Sequence, residues 1–350
     1  MQSNQEQPKK RLVSFDIICL FSCLCVTLVH FNASVSGYNN GVFVYPQNSL
    51  IPSYYLEGRI YLGGIGVSLF FMLSGARLMH SYRGVKSFYT KRIMNIYPMF
   101  WIAYATATAI DFMHNRFMPT GNLITRLISV FAMDGYLCSL GFDFWTYYKL
   151  GEWFLGCILI LYIIFPILHG GVERYPRLMI AASIVVYAWG AKRGVNDLWF
   201  FMRIPEMMFG MYFVRYCAEK KLLIWLLGCG ATFALAWVLR NNVMPLTLCI
   251  ALGMVLFCLF TMLAKYVKNP RIISALAQMS MLTYPIFLVH HWLIDRMVIG
   301  FNLVELPREY VFMLFAIYVV LTLVLAQALN KANLWIMKRM KKTGSKGVAA

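Results

Sequence analysis

Two ionisable side chains sit inside the first apolar run, where lipid would make them costly. Asp16 and His30 are fourteen residues apart in VSFDIICLFSCLCVTLVHF. With Cys19, Cys23 and Val26 they follow spacings of 3, 4, 3 and 4, so all five share one helical face. At 1.5 Å per residue the carboxylate and the imidazole stand about 21 Å apart along the axis, and each needs its own partner. A polar stripe running nearly through a bilayer fits a helix lining a water-filled or ligand-filled cavity. The alternative for His30 is an imidazole merely hydrogen-bonded between helices.

Other chemically able residues are few. SYRGVKSFYTKRIMNIYP carries Arg83, Lys86, Lys91 and Arg92 within ten positions. Clustered bases at a helix start can hold phosphates, or they anchor the chain to anionic lipid heads. Glu152 and Trp153 open a later apolar run, where a carboxylate beside an aromatic suits a sugar, although Trp also anchors spans at the interface. Arg203 and Glu206 are three apart and can pair on one helical face, as a structural ion pair or as part of a site. His290 and His291 close another run beside Trp292, with one of the two expected to face inward. The glycines of GGIGVSLFFMLSGA lie in an apolar run with no strand before them, so they point to close helix packing and away from a nucleotide loop. Nine cysteines include no CxxC pair and no metal-ligand spacing to histidine, and they read as small buried hydrophobes with no resident metal.

The elements that must position these residues follow from composition. Of the 350 residues 60% are apolar and 13% charged, against about 45–50% and 25% in a soluble domain, so the solvent around this fold is lipid. Ten apolar windows are long enough to span: roughly 12–32, 60–80, 94–113, 153–169, 177–191, 199–216, 222–239, 246–264, 273–294 and 310–330. They predict an all-α integral membrane protein with one membrane domain over 12–330, a basic N-terminus at 1–11 and a basic tail at 331–350. An even number of spans puts both ends on one side, and 22 of the 32 Lys and Arg fall on that side, which places both termini in the cytoplasm. The net charge of +18 is then largely topological and calls for no nucleic-acid partner. The first run, behind PKKR, superficially resembles a signal peptide; its length and its internal Asp16 and His30 favour a span. Two outward segments, 33–59 and 114–152, exceed simple turns, and NLITRLISVFAM in the second suits a short interfacial helix.

Taken together, several of these stretches resemble the acyltransferase-3 family of multispan membrane acyltransferases. The similarity runs through FDIICLFSCLCVTLVHF with Asp16 and His30, GVSLFFMLSG, KRIMNIYPMFW, the pattern Trp153, Leu155, Tyr162 and Pro166, RIPEMMFG and LTYPIFLVHH, from about residue 11 to 295. The resemblance implies a ten-helix bundle that moves an acyl group, most often acetyl, from cytoplasmic acyl-CoA to a glycan hydroxyl outside. It implies no permanently bound cofactor. The acceptor it implies is a cell-surface or secreted polysaccharide or a lipid-linked glycan, with glycan synthesis machinery as a further partner. His30 would act as base or transient acyl carrier, with Asp16 on the same stripe. Arg92 would hold donor phosphates, and Glu152, Trp153, Arg203, Glu206 and His290 would receive the acceptor or support the transition state. Three positions depart from the family pattern: Cys19 and Asn95 stand where it has arginines, and Ile158 where a carboxylate is frequent. Arg77 and Lys91 are expected to supply the missing charge. The rival readings are a multispan transporter and a catalytically weakened, glycan-binding relative.

Overall fold

The apolar windows fold as helices, and the computed structural model describes residues 12–39, 42–43, 48–115, 122–142, 150–217, 221–301 and 307–346. The basic stretch 1–11 with Lys9, Lys10 and Arg11 lies outside the described residues, as do Arg116, Lys149 and Lys220. In chain order the helices are α1 (Val13–Ser36), α2 (Leu62–Ser81), α3 (Val85–Asn115), α4 (Leu123–Val130), α5 (Asp134–Ser139), α6 (Glu152–Arg174) and α7 (Pro176–Lys192). A 3-10 turn (Phe200–Arg203) leads into α8 (Ile204–Tyr216), followed by α9 (Leu222–Val238), α10 (Pro245–Leu263), α11 (Pro270–Met281), α12 (Thr283–Phe301) and α13 (Arg308–Lys346). Two two-residue hairpins between α1 and α2, β1 (Tyr38–Asn39) with β2 (Val42–Phe43) and β3 (Tyr54–Tyr55) with β4 (Ile60–Tyr61), are the strands described.

Among the described residues six helices are long and apolar enough to cross a bilayer, and a seventh span results if the bent pair α11 and α12 counts as one. Three of the ten expected windows fold as shorter pieces. Helices α7, α8 and α9 have 17, 13 and 17 residues, about 26, 20 and 26 Å at 1.5 Å each, against a roughly 30 Å hydrocarbon core. Hydropathy alone does not see where the helix stops. The expected span 273–294 is also not continuous: it bends by 51° between Met281 and Thr283. Pro285 explains the break, because it lacks an N–H and its ring clashes with the carbonyl four residues earlier, at Met281. Helix α13 runs unbroken through 39 residues, so the basic tail continues the last apolar helix as far as Lys346.

Glycines bring the central helices close. A Cβ on Gly75 of α2 would lie 1.9 Å from the Met207 carbonyl oxygen, and one on Gly210 of α8 would lie 1.8 Å from that of Met72. Backbone-to-backbone approach of this kind is how membrane helices pack without a hydrophobic drive, and it is what the glycine pattern of α2 implied. On the far face of α2, Gly66 fits against Cys25 and the Ser22 carbonyl of α1. The segment expected to form an interfacial helix does so as α4: Asn122 caps it by accepting from Thr125 N–H at 2.9 Å, and Leu123, Ile124 and Leu127 are exposed. Beyond it, buried Tyr136 of α5 accepts from the Phe200 N–H at 3.0 Å and so fixes the 3-10 turn that carries Arg203. Burial pushes the Tyr136 phenol up to about 12, so it remains protonated at neutral pH.

Candidate active site

The two ends of α1 meet different surroundings. At its first turn Asp16, 3% exposed, accepts a 2.5 Å hydrogen bond from Ser280 Oγ. One turn on, Cys19 Sγ lies 3.2 Å from Thr283 Oγ1. Both hydroxyls flank the break between α11 and α12, so the bend delivers partners to the carboxylate end of the stripe. From α2, Arg77 aims Nη1 at Cys19 Sγ, 3.8 Å away, and donates from Nη2 to the Phe15 carbonyl at 3.4 Å. A guanidinium therefore stands beside Cys19, although it belongs to another helix. Lys91 is exposed, whereas Arg92 places its guanidinium 6.0 Å from the Phe88 ring centroid and 5.9 Å from that of Tyr162. Arg92 Nε is buried without a hydrogen-bond partner. Tyr162 in turn lies with its hydroxyl 3.4 Å from Ser74 Oγ, one turn before Arg77.

At the other end of α1, His30 enters a cluster of titratable side chains. Its Nε2 lies 3.4 Å from Glu152 Oε2, and the His290 and His291 rings stand 5.2 and 5.0 Å from its own, centroid to centroid. Glu152 is the hub: Oε1 is 2.7 Å from His291 Nδ1 and 3.8 Å from His290 Nε2. Its backbone is strained to bring it there. Gly151 has φ +84° and Glu152 itself φ +48°, a left-handed conformation uncommon for a residue with a side chain. Of the two adjacent histidines, His290 is the inward one, 1% exposed, while half-exposed His291 also reaches Glu152. His290 Nδ1 lies 2.9 Å from the Phe287 carbonyl and 3.2 Å from that of Ile286, which makes it the protonated nitrogen and leaves the lone pair on Nε2.

Beside His30 lies a cavity of about 300 Å³, with Trp153, Asp197, Arg203 and Tyr61 also in its wall. Arg203 is buried, holds Glu206 Oε1 at 3.3 Å and Asp197 Oδ2 at 3.4 Å, and packs 5.1 Å from the Trp153 ring centroid. Ser68 of α2 donates to Glu206 Oε1 at 2.5 Å, tying this pair to the helix that α8 packs against. The cavity thus presents an aromatic face, a guanidinium, a carboxylate and an imidazole, a donor and acceptor set that suits a hydroxyl-rich ligand.

The structure brings His30, Glu152 and His290 together and places Trp153 and Arg203 in the wall of the neighbouring cavity, with Glu206 buried behind Arg203. Glu152, expected to receive the acceptor or support the transition state, turns its carboxylate toward the histidines. Asp197, which carried no signal in the sequence, faces the cavity, and His291 joins the cluster beside its neighbour. Asp16, Arg77, Lys91 and Arg92 are absent from the cavity wall. By position along their helices, Phe71, Phe154 and Phe287 lie between the two levels, with Phe154 4.9 Å from Phe71 and 5.5 Å from Phe287, centroid to centroid.

The fold is that of a helical membrane protein whose first helix joins a basic mouth to a histidine cluster. The model of the acyltransferase domain family matches residues 12–331, nearly the whole chain, and the protein belongs to that family, the acyltransferase-3 group that its sequence blocks resemble. Family membership supports an acyltransferase working in a membrane. No curated protein and no solved structure matches the chain.

Proposed function

We propose that this protein is an O-acyltransferase of the cell membrane that moves an acyl group, acetyl in the simplest case, from cytoplasmic acyl-CoA to a hydroxyl of a cell-surface or secreted polysaccharide or its lipid-linked precursor. The observation that carries the reading is His30, held 3.4 Å from the Glu152 carboxylate and bordering the polar cavity. The carboxylate accepts the Nε2 proton, so the neutral ring keeps its lone pair on Nδ1 and is a base near pH 7. As the acceptor hydroxyl gives its proton to that nitrogen, its oxygen bonds to the thioester carbonyl carbon. Arg203 is the buried cation positioned to favour the oxyanion. The carbon–sulfur bond then breaks, the thiolate takes the proton from the imidazolium, and an ester and free CoA remain. An acylated His30 as an intermediate splits the same transfer into two steps.

The charge bias of the loops supports placing both termini in the cytoplasm, with His30 on the outer side and Arg77 and Arg92 at the donor mouth. Donor phosphates would bind at Arg92, whose Nε lacks a partner. The bent pair of α11 and α12 has the form a transporter would use, yet its hydroxyls are engaged by Asp16 and Cys19. The departures at Cys19 and Asn95 would suit a weakened relative, and Arg77 beside Cys19 argues for retained donor binding. The test is the O-acyl content of the surface glycan in cells carrying His30→Ala. Loss of the ester with the variant present in the membrane supports the assignment; an unchanged content refutes it.

A further inference from the structure

The histidine cluster holds more ligand atoms than one proton transfer needs. His30, Glu152 and His290, drawn from α1, α6 and α12, each offer a ligand atom within 4.8 Å of the others. We propose that these three side chains form a binding site for a divalent cation of the zinc class, with the fourth coordination position turned to the cavity beside His30. Two imidazoles and one carboxylate are a donor set that zinc favours, whereas calcium and magnesium prefer oxygen alone.

Four observations support the site. His290 Nε2 is buried and has no hydrogen-bond partner, while its Nδ1 is held by two backbone carbonyls, the arrangement that orients a ligating imidazole. His30 Nε2 and Glu152 Oε2, 3.4 Å apart, already stand at about the 3.3 Å edge of a tetrahedron with bonds of roughly 2.0–2.1 Å. His291 Nδ1 stands 2.7 Å from Glu152 Oε1, where it supports the ligating carboxylate from outside. The left-handed backbone at Glu152 holds that carboxylate among histidines from two other helices. The three ligand atoms lie within 4.8 Å of one another, so closing the site to edges of about 3.3 Å requires His290 to move inward by at most about 1.5 Å.

The proposal goes beyond acyl transfer and constrains it. A metal on His30 Nε2 takes the lone pair there and forces the ring proton onto Nδ1, the nitrogen that serves as the base. Occupancy and catalysis therefore exclude one another, and the metal acts as an inhibitor.

The test uses the full-length chain, purified in detergent and stripped with a chelator, with Co²⁺ as the spectroscopic probe and Zn²⁺ as competitor. The expected result is one Co²⁺ per chain with the visible absorption of a four-coordinate site, displaced by Zn²⁺. Glu152→Gln and His290→Gln, both checked for co-elution with the parent, are each expected to weaken binding at least tenfold, and His80→Ala to leave it unchanged. No visible band, or binding that survives both substitutions, overturns the site. With acyl transfer measured in parallel, Zn²⁺ is expected to inhibit, and a rate raised by Zn²⁺ overturns the exclusion argument. An active chain that binds no cobalt sinks the metal site alone; an inactive chain that binds it through these residues sinks the acyl-transfer reading alone.

Discussion

The two ends of α1 are built by different means. At the C-terminal end, His30 meets charged and titratable groups from α6 and α12, gathered on one strained carboxylate. At the N-terminal end, Asp16 and Cys19 meet neutral hydroxyls at a helix break, and the cations stand on neighbouring helices, Arg77 on α2 and Arg92 on α3. The His30 cluster converges on one carboxylate, which suits moving a proton between fixed atoms. The basic mouth leaves Arg92 Nε without a partner, which suits taking up and releasing a charged donor. Under the proposed function, substitutions at the His30 end should therefore lower the rate of transfer, and loss of Arg77 or Arg92 at the basic mouth should weaken donor binding.

The largest effect is expected at His30, the proposed base. His30→Ala should lower kcat by about 10²–10⁴-fold while KM for acyl-CoA moves little, in steady-state assays of purified protein. Glu152→Gln keeps the size of the side chain and removes its charge; kcat should fall about 10–100-fold, again with donor KM unchanged, because the ring of His30 loses the partner that fixes its tautomer. If both variants raise donor KM instead, the division between the two ends fails.

Intermediate effects belong to the basic mouth. Arg92→Ala should raise KM for acyl-CoA by ten- to a hundredfold, about 1.4–2.8 kcal/mol of lost phosphate binding, and Arg77→Ala by about tenfold. Lys91→Ala should change neither constant, since Lys91 is exposed away from these contacts. Equal losses from all three would mean that the mouth acts through diffuse charge. The smallest effect is expected from Ser280→Ala, which removes one hydrogen bond from buried Asp16; a loss of about 1–3 kcal/mol in thermal stability should accompany a nearly normal rate.

Much of this arrangement was legible along the chain because it is local. The spacing from Asp16 to His30 marks one helical face, Arg203 and Glu206 are one turn apart, and the glycines of α2 announce a close helix contact. What stayed hidden is carried by distance in sequence. Residues 30, 152 and 290–291 have no mutual spacing rule, so neither the role of Glu152 as hub nor a ligand set of two histidines and a carboxylate shows before the helices pack. Asp197 lies in a connection with no periodicity, and Arg77 reaches Cys19 only because α2 packs on α1. Proline at 285 was a visible signal for the break in the ninth window. The shortness of α7, α8 and α9 was not visible, because hydropathy averages across helix ends.

The account depends on a thioester entering from the basic mouth and passing the level of Phe71, Phe154 and Phe287 to reach His30. Bromoacetyl-CoA supplied to inside-out vesicles, followed by peptide mass spectrometry, tests this directly. The account predicts carboxymethyl-type alkylation of His30 that excess CoA prevents and that Arg92→Ala reduces. Donor binding that remains sensitive to Arg92→Ala, with no label on His30, would contradict it.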